Sequence, residues 1–101
     1  MFLRRRKYIG VLISGADEDL QQAAIREWAE LEGVKISGWI KANKGEVPDV
    51  DKGIILIVYN YRILGDTPQE AYMIVKSLKD RGVKVIQAVE ASGPREPTMG
   101  C

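Results

Sequence analysis

The chain has 101 residues, 46% hydrophobic and 29% charged, which is the composition of one ordinary domain with one core, near the lower end of the size range that folds without help. It has no histidine, and its single cysteine is Cys101; this excludes Ser-His and Cys-His nucleophile pairs, histidine proton shuttles, an internal disulfide framework and the usual transition-metal clusters, so no metal and no cofactor is expected. The net charge of +1 is unevenly spread: Arg4, Arg5, Arg6 and Lys7 supply four of fifteen basic residues, which leaves eleven against fourteen acids, a net of −3, over the rest.

In chain order, residues 1–6 read as a basic arm. Such an arm, continued by Lys7, neutralises phosphate charge on nucleic acid without reading sequence, or keeps an apolar first strand in solution as a solvated tail. It lacks the small-residue cleavage site of a signal peptide, and the longest apolar run, Ile54 to Tyr59, is too short for a bilayer, so the expectation is a cytoplasmic protein with no membrane partner. Lys7 to Ser14, KYIGVLIS, is β-rich without alternation, as for a strand covered on both faces. From Asp17 to Glu32 the apolar residues Leu20, Ala24, Trp28 and Leu31 recur at helical spacing, and Gly33 follows as a C-cap. On that stripe Gln21 falls on the surface, while Trp28 and Trp39 belong to the core or to an interface. Val34 to Ala42 is a second strand whose phase slips at Ser37-Gly38, which predicts a bulge or bend near Gly38. Asn43 to Gly53, NKGEVPDVDKG, is polar and turn-rich, a loop with no room for a core helix.

Ile54 to Asn60 is a third strand, buried on both faces. It runs into Tyr59, Asn60, Tyr61 and Arg62, and polar and aromatic groups at a strand's carboxyl end are where open α/β sheets hold their chemistry. The two tyrosines suit packing at a strand end, or stacking on a ring. Thr67-Pro68-Gln69-Glu70 is a helix start with a hydroxyl N-cap, proline at the first position and a glutamate that reaches back in a capping box. Ala71, Ile74, Val75 and Leu78 give that helix its apolar stripe, and Gly82 ends it. Val83 to Glu90 is the fourth strand. Residues 91–101, with two prolines and two glycines, form an irregular tail, so the domain proper spans 7–90.

Strand, helix, strand, loop, strand, helix, strand predicts an α/β domain with a four-stranded, mainly parallel sheet and right-handed crossovers, in two or three layers. Two helices over four strands leave part of a face for the 43–53 loop or for a partner. Self-association, most simply a homodimer, follows as an expectation.

The order of these segments resembles the N-terminal catalytic domain of the serine recombinases, the resolvase and invertase family. GVLIS (Gly10 to Ser14) resembles the strand that delivers the nucleophilic serine, QQAAIREWAELEGVKISGWIKAN (Gln21 to Asn43) the first helix and second strand, ILIVYNYRILGD (Ile55 to Asp66) the strand and loop ending in Asp-Arg-Leu-Gly-Arg, and EAYMIVKSLKDRGVKVIQAVE (Glu70 to Glu90) the helix and strand after it. Pro97-Thr98-Met99-Gly100 is similar to the turn before the family's long dimer helix. The family cuts DNA by attack of the serine hydroxyl on a phosphate, giving a phosphoseryl link inside a cluster of arginines. A hydroxyl nucleophile without histidine depends on that cationic stabilisation.

The resemblance implies Ser14 as nucleophile and leaves few of the arginines. The arginine two residues before the serine falls on Leu12. An ungapped match of the later loop sets the family's aspartate on Arg62, its next arginine on Ile63 and its last on Asp66; with Ile63 as an insertion, Arg62 takes the arginine position and Tyr61 the aspartate. A helix with a further arginine is replaced by Asn43 to Gly53. The resemblance therefore implies a reduced, catalytically impaired domain that acts as a dimerising or regulatory partner in DNA recombination, binding itself, a full-length recombinase, or DNA weakly through Arg4 to Lys7. Two alternatives stay open: an active minimal recombinase domain with Ser14 and Arg62 in the site, and a small α/β ligand-binding module with no DNA role. Ser14 also has a plain structural reading, as the polar end of a strand or an N-cap near Asp17.

Overall fold

The computed structural model describes residues 7–89; the arm at 1–6, Glu90 and the tail at 91–101 lie outside the described residues. Four strands and two helices follow in the expected order: β1 (Tyr8–Ile13), α1 (Glu18–Glu32), β2 (Ile36–Ala42), β3 (Ile55–Val58), α2 (Pro68–Asp80) and β4 (Lys84–Gln87), with a short 3-10 turn at Tyr61–Leu64 before α2. All three strand pairings are parallel and the strand order is β2-β1-β3-β4. Residues 43–54 contain no helix, as their composition requires.

Alternation along β3 assigns the layers. Ile55 and Ile57 cluster with Ile25 of α1, whereas Leu56 and Val58 cluster with Ala71, Ile74 and Leu78 of α2. Successive side chains of a strand point to opposite faces, so the helices lie on opposite sides of the sheet and the domain has three layers. The α2 face is completed by the 43–54 connection, where Pro48 is buried and Val47, Val50 and Ile54 pack against the core. That connection takes the place of a third helix.

Of the bulge or bend expected near Gly38, the structure has the bulge. Tyr8 pairs with Ile36 and Ile9 with Gly38, which leaves Ser37 as the extra residue on β2. Its consequence is to turn Trp39 onto the α1 face, where the ring lies over Gly10 of the neighbouring strand and under the Arg26 guanidinium, 5.6 Å from the ring centroid. A Cβ at Gly10 would fall 2.4 Å from two ring carbons. Glycine is there because the indole occupies the space of a side chain.

Three expectations are corrected. First, α1 packs through Gln21, Ile25 and Ala29, while Leu20 is 51% and Leu31 79% exposed; the helix is rotated by about one residue, or 100°, from the Leu20 stripe. Second, the N-cap of α1 is Asp17, whose carboxylate accepts from the Leu20 N–H at 3.1 Å, so Ser14 caps nothing. Third, the α2 capping box is skewed: Thr67 Oγ1 accepts from the Glu70 N–H as expected, but Glu70 reaches back to the Asp66 N–H rather than to that of Thr67. Gly33 does cap α1 in the left-handed conformation, with φ of 72°. β4 ends at Gln87, short of the expected Glu90.

Candidate functional site: the carboxyl ends of β1 and β3

In the order β2-β1-β3-β4 the chain leaves β1 toward one edge and β3 toward the other. The topological switch point therefore lies between the carboxyl ends of β1 and β3, the place where open parallel sheets form a crevice. Ser14 follows β1 there, half-buried, with its N–H donating to the Ala42 carbonyl of β2 at 2.9 Å. Tyr59 to Arg62 follow β3. The two residues proposed from the sequence, Ser14 and Arg62, thus share the carboxyl edge of adjacent strands.

β1 and β3 part before β1 ends. Their pairing runs from Tyr8–Ile55 to Gly10–Ile57 and goes no further, so the backbone groups of Ile13 on that side have no strand partner. Gln21 supplies one. The Ile13 N–H donates to Gln21 Oε1 at 2.7 Å, and Gln21 Nε2 donates to the Ile13 carbonyl at 3.0 Å. A primary amide presents the same donor and acceptor as a peptide group, so the side chain continues the ladder in place of β3. At 2% exposure Gln21 is one of the most buried residues described. The surface reading of Gln21 is overturned: it fills the split in the sheet and fixes the backbone immediately before Ser14.

The other wall is tied to β4. Asn60 is buried and bonds in both directions, its Oδ1 accepting from the Arg62 N–H at 2.8 Å and its Nδ2 donating to the Val89 carbonyl at 2.8 Å. The Tyr61 N–H donates to Gln87 Oε1 at 3.1 Å, and its hydroxyl donates to the Val85 carbonyl at 2.8 Å. Both tyrosines are half-buried, and Tyr61 is a packing residue with its polar tip already engaged. Gly65 closes the segment against α2, since a Cβ there would fall 2.9 Å from the Ala71 nitrogen. Arg62 is left exposed on the outside of the 3-10 turn.

Burial raises the Tyr61 pKa above its ordinary 10.0, because desolvation disfavours the phenolate. The neutral phenol also donates to Val85, so folding favours the protonated form. The resulting stability is fully present below pH 10.0 and is lost as pH rises through the raised pKa. In pH-dependent thermal melts the wild type is expected to lose stability above pH 10 more steeply than Tyr61→Phe, which cannot ionise. Equal alkaline slopes would show that Tyr61 is not held this way.

Against known proteins, no family model matches the sequence, and no curated protein matches it. A solved structure does match in fold: the C-terminal catalytic domain of ISC1926 TnpA, an IS607-like serine recombinase, superposes with a TM-score of 0.58 over 85% of this chain and 72% of that one, at 13% sequence identity. The chain has the serine-recombinase catalytic fold. At that identity the fold is what the two share.

Within the recombinase fold, the positions singled out from the sequence have definite surroundings. Leu12, two residues before Ser14, is buried, and its partner in register on β2 is Lys41, whose Nζ lies 3.1 Å from Glu18 Oε1 at the start of α1. Asp66 is exposed, with Lys44 Nζ at 3.9 Å. Both lysines at this edge therefore face carboxylates. Among the described residues, the segments that leave the carboxyl edge carry Asp17, Glu18, Asp19, Glu46, Asp66 and Glu70 against Lys41, Lys44 and Arg62. Lys7 lies at the opposite end of β1, about 20 Å away for a strand of six residues. Arg4, Arg5 and Arg6 lie outside the described residues. Sequence reasoning missed the bonding roles of Gln21 and Asn60, and missed Lys41 altogether, because all three depend on which strand stands beside which.

Proposed function

We propose that this is a serine-recombinase-like domain that does not cleave DNA efficiently and serves as a dimerising or regulatory partner in DNA recombination. The observation that carries the reading is the sign of charge at the carboxyl edge: six carboxylates against three cations among the described residues, with an apolar side chain where the resemblance sets the first arginine. A phosphodiester brought to Ser14 carries negative charge into that field, and more charge develops in the transition state. Removing one preorganised donor from such a site costs a factor of about 100 to 1,000 in rate, and here several are replaced together. The loop 43–54 stands where the resemblance sets a further arginine-bearing helix. Leu20 and Leu31 on α1 and Met73 on α2 are exposed and offer apolar contact to a partner. The partner is a second copy or a full-length recombinase.

The test has two readouts on one preparation. Incubation with supercoiled DNA and denaturing electrophoresis is expected to yield no covalent protein–DNA adduct, and light scattering is expected to give the mass of two chains. An adduct that Ser14→Ala abolishes would replace this reading with that of an active minimal recombinase. A strict monomer that ignores both a recombinase and DNA would favour a ligand-binding module.

A further inference from the structure

Among the described residues, a cationic surface without ion pairs lies on the flank of β4, at the far edge of the sheet from β2 and away from Ser14. The turn between α2 and β4 packs on the connection before β3: the Gly53 N–H donates to the Gly82 carbonyl at 2.9 Å, and a Cβ at Gly82 would sit 3.1 Å from that of Lys52. This contact gathers Lys52, Lys79, Arg81 and Lys84, all exposed, around one turn. None of the four has a carboxylate within 4.0 Å among the described residues; the ion pairs there are Lys41–Glu18, Lys44–Asp66 and Lys76–Asp80. The nearby acids are Asp80, which is turned to Lys76, and Asp51, beside Lys52 in the chain.

A second, independent feature adjoins the charge. Tyr61, Val75, Val83 and Val85 floor a cleft of about 430 Å³ between α2 and β4, with Lys79 and Lys84 at its rim. Tyr72, Val75, Lys76 and Lys79 are spaced i, i+3, i+4, i+7 and so share one side of α2. Tyr72 is 66% exposed. An apolar cleft with an uncovered aromatic ring farther along the same side of α2, bordered by cations that have no carboxylate partner among the described residues, has the chemistry that accepts bases and phosphates from one strand, since bases stack on side-chain rings while lysines follow the backbone. A duplex keeps its bases inside and has no use for the cleft.

We propose that the flank between α2 and β4 binds single-stranded nucleic acid, with phosphates on Lys79, Lys84, Lys52 and Arg81 and a base against Tyr72. Its cations lie at the opposite end of the strands from the Ser14 edge, so an adduct at Ser14 would leave the proposal standing, and its failure would leave the recombinase-like reading standing. The test is fluorescence anisotropy of the full chain with a labelled oligothymidylate and a duplex of equal length, across a salt series. The single strand is expected to bind more tightly than the duplex. Lys79→Ala with Lys84→Ala should weaken single-strand binding at least tenfold and reduce the salt slope by about 1.4, two phosphates at about 0.7 each. Tyr72→Ala should weaken it about fivefold to a hundredfold with the slope unchanged. Lys35→Ala, a cation before β2 at the opposite edge, should change nothing. Absence of binding at low salt, preference for the duplex, or binding lost only on replacing Arg4, Arg5 and Arg6 would overturn the proposal.

Discussion

Gln21→Leu is expected to be among the most destabilising single substitutions in the protein. It leaves the Ile13 N–H and carbonyl buried without partners, at about 1–3 kcal/mol each, or about 2–6 kcal/mol in all. Domains of this size are stable by roughly 5–15 kcal/mol, so the variant sits at the edge of folding. Gln21→Glu separates the hydrogen-bond argument from simple packing. Its carboxylate keeps the acceptor facing the Ile13 N–H but cannot donate to the Ile13 carbonyl; protonated, it does both. The folded-state pKa of that buried glutamate is therefore raised. The Glu variant should approach wild-type stability below the ordinary glutamate pKa of about 4.3 and lose it as pH rises through the raised value. Urea unfolding at two pH values reads this directly. A loss below about 0.5 kcal/mol in the Leu variant, within the range of surface substitutions, would show that the amide does not bridge the split.

Gly10→Ala is expected to cost about 1–3 kcal/mol or more, because its methyl group would overlap the Trp39 ring and overpacking at a sheet centre forces off-rotamer side chains or backbone shifts. The ring has little room to retreat, with Ile25, Trp28 and Tyr8 packed in the same cluster and Arg26 above it. The pair is a double-mutant cycle with a defined sign. Trp39→Leu alone should destabilise by loss of aromatic packing, and Gly10→Ala in that background should be nearly neutral, since the obstructing ring is gone. Chemical denaturation of the four proteins gives the coupling. Additive losses would mean that the indole does not cover Gly10. The cycle is a sharp test of how the bulge at Ser37 directs Trp39.

The two variants also separate structure from site. Gln21 fixes the backbone next to Ser14, so its loss should disturb both the fold and anything that happens at the carboxyl edge. Gly10 lies four residues earlier, under Trp39, and its substitution strains the sheet from the α1 side. The Ser14 edge owes its geometry to the first contact. The excess of acids at that edge among the described residues arises separately, from the starts of both helices and the segment after β2.

Much of this architecture is determined by the amino-acid sequence alone, because its signals are local. The uncharged run Ile54 to Tyr59 can only be a covered strand, Thr67-Pro68 can only open a helix, and the slip at Ser37-Gly38 breaks a period of two wherever the strand is placed. The absence of histidine settles which nucleophile chemistry is excluded before any folding is considered. Tertiary structure decided what depends on neighbours distant in the chain. The α1 sequence offers two adjacent stripes, and the one through Leu20 and Leu31 is the more apolar. The helix buries the stripe with Gln21 because β1 and β3 diverge and leave peptide groups of Ile13 that its amide satisfies. No periodicity in α1 encodes that need, since it arises from the strand order. The same holds for Lys41 beside Leu12, for Asn60 between Arg62 and Val89, and for the cations gathered at Gly82: each is an ordinary residue in sequence, given its role by the strand or turn that folding sets against it.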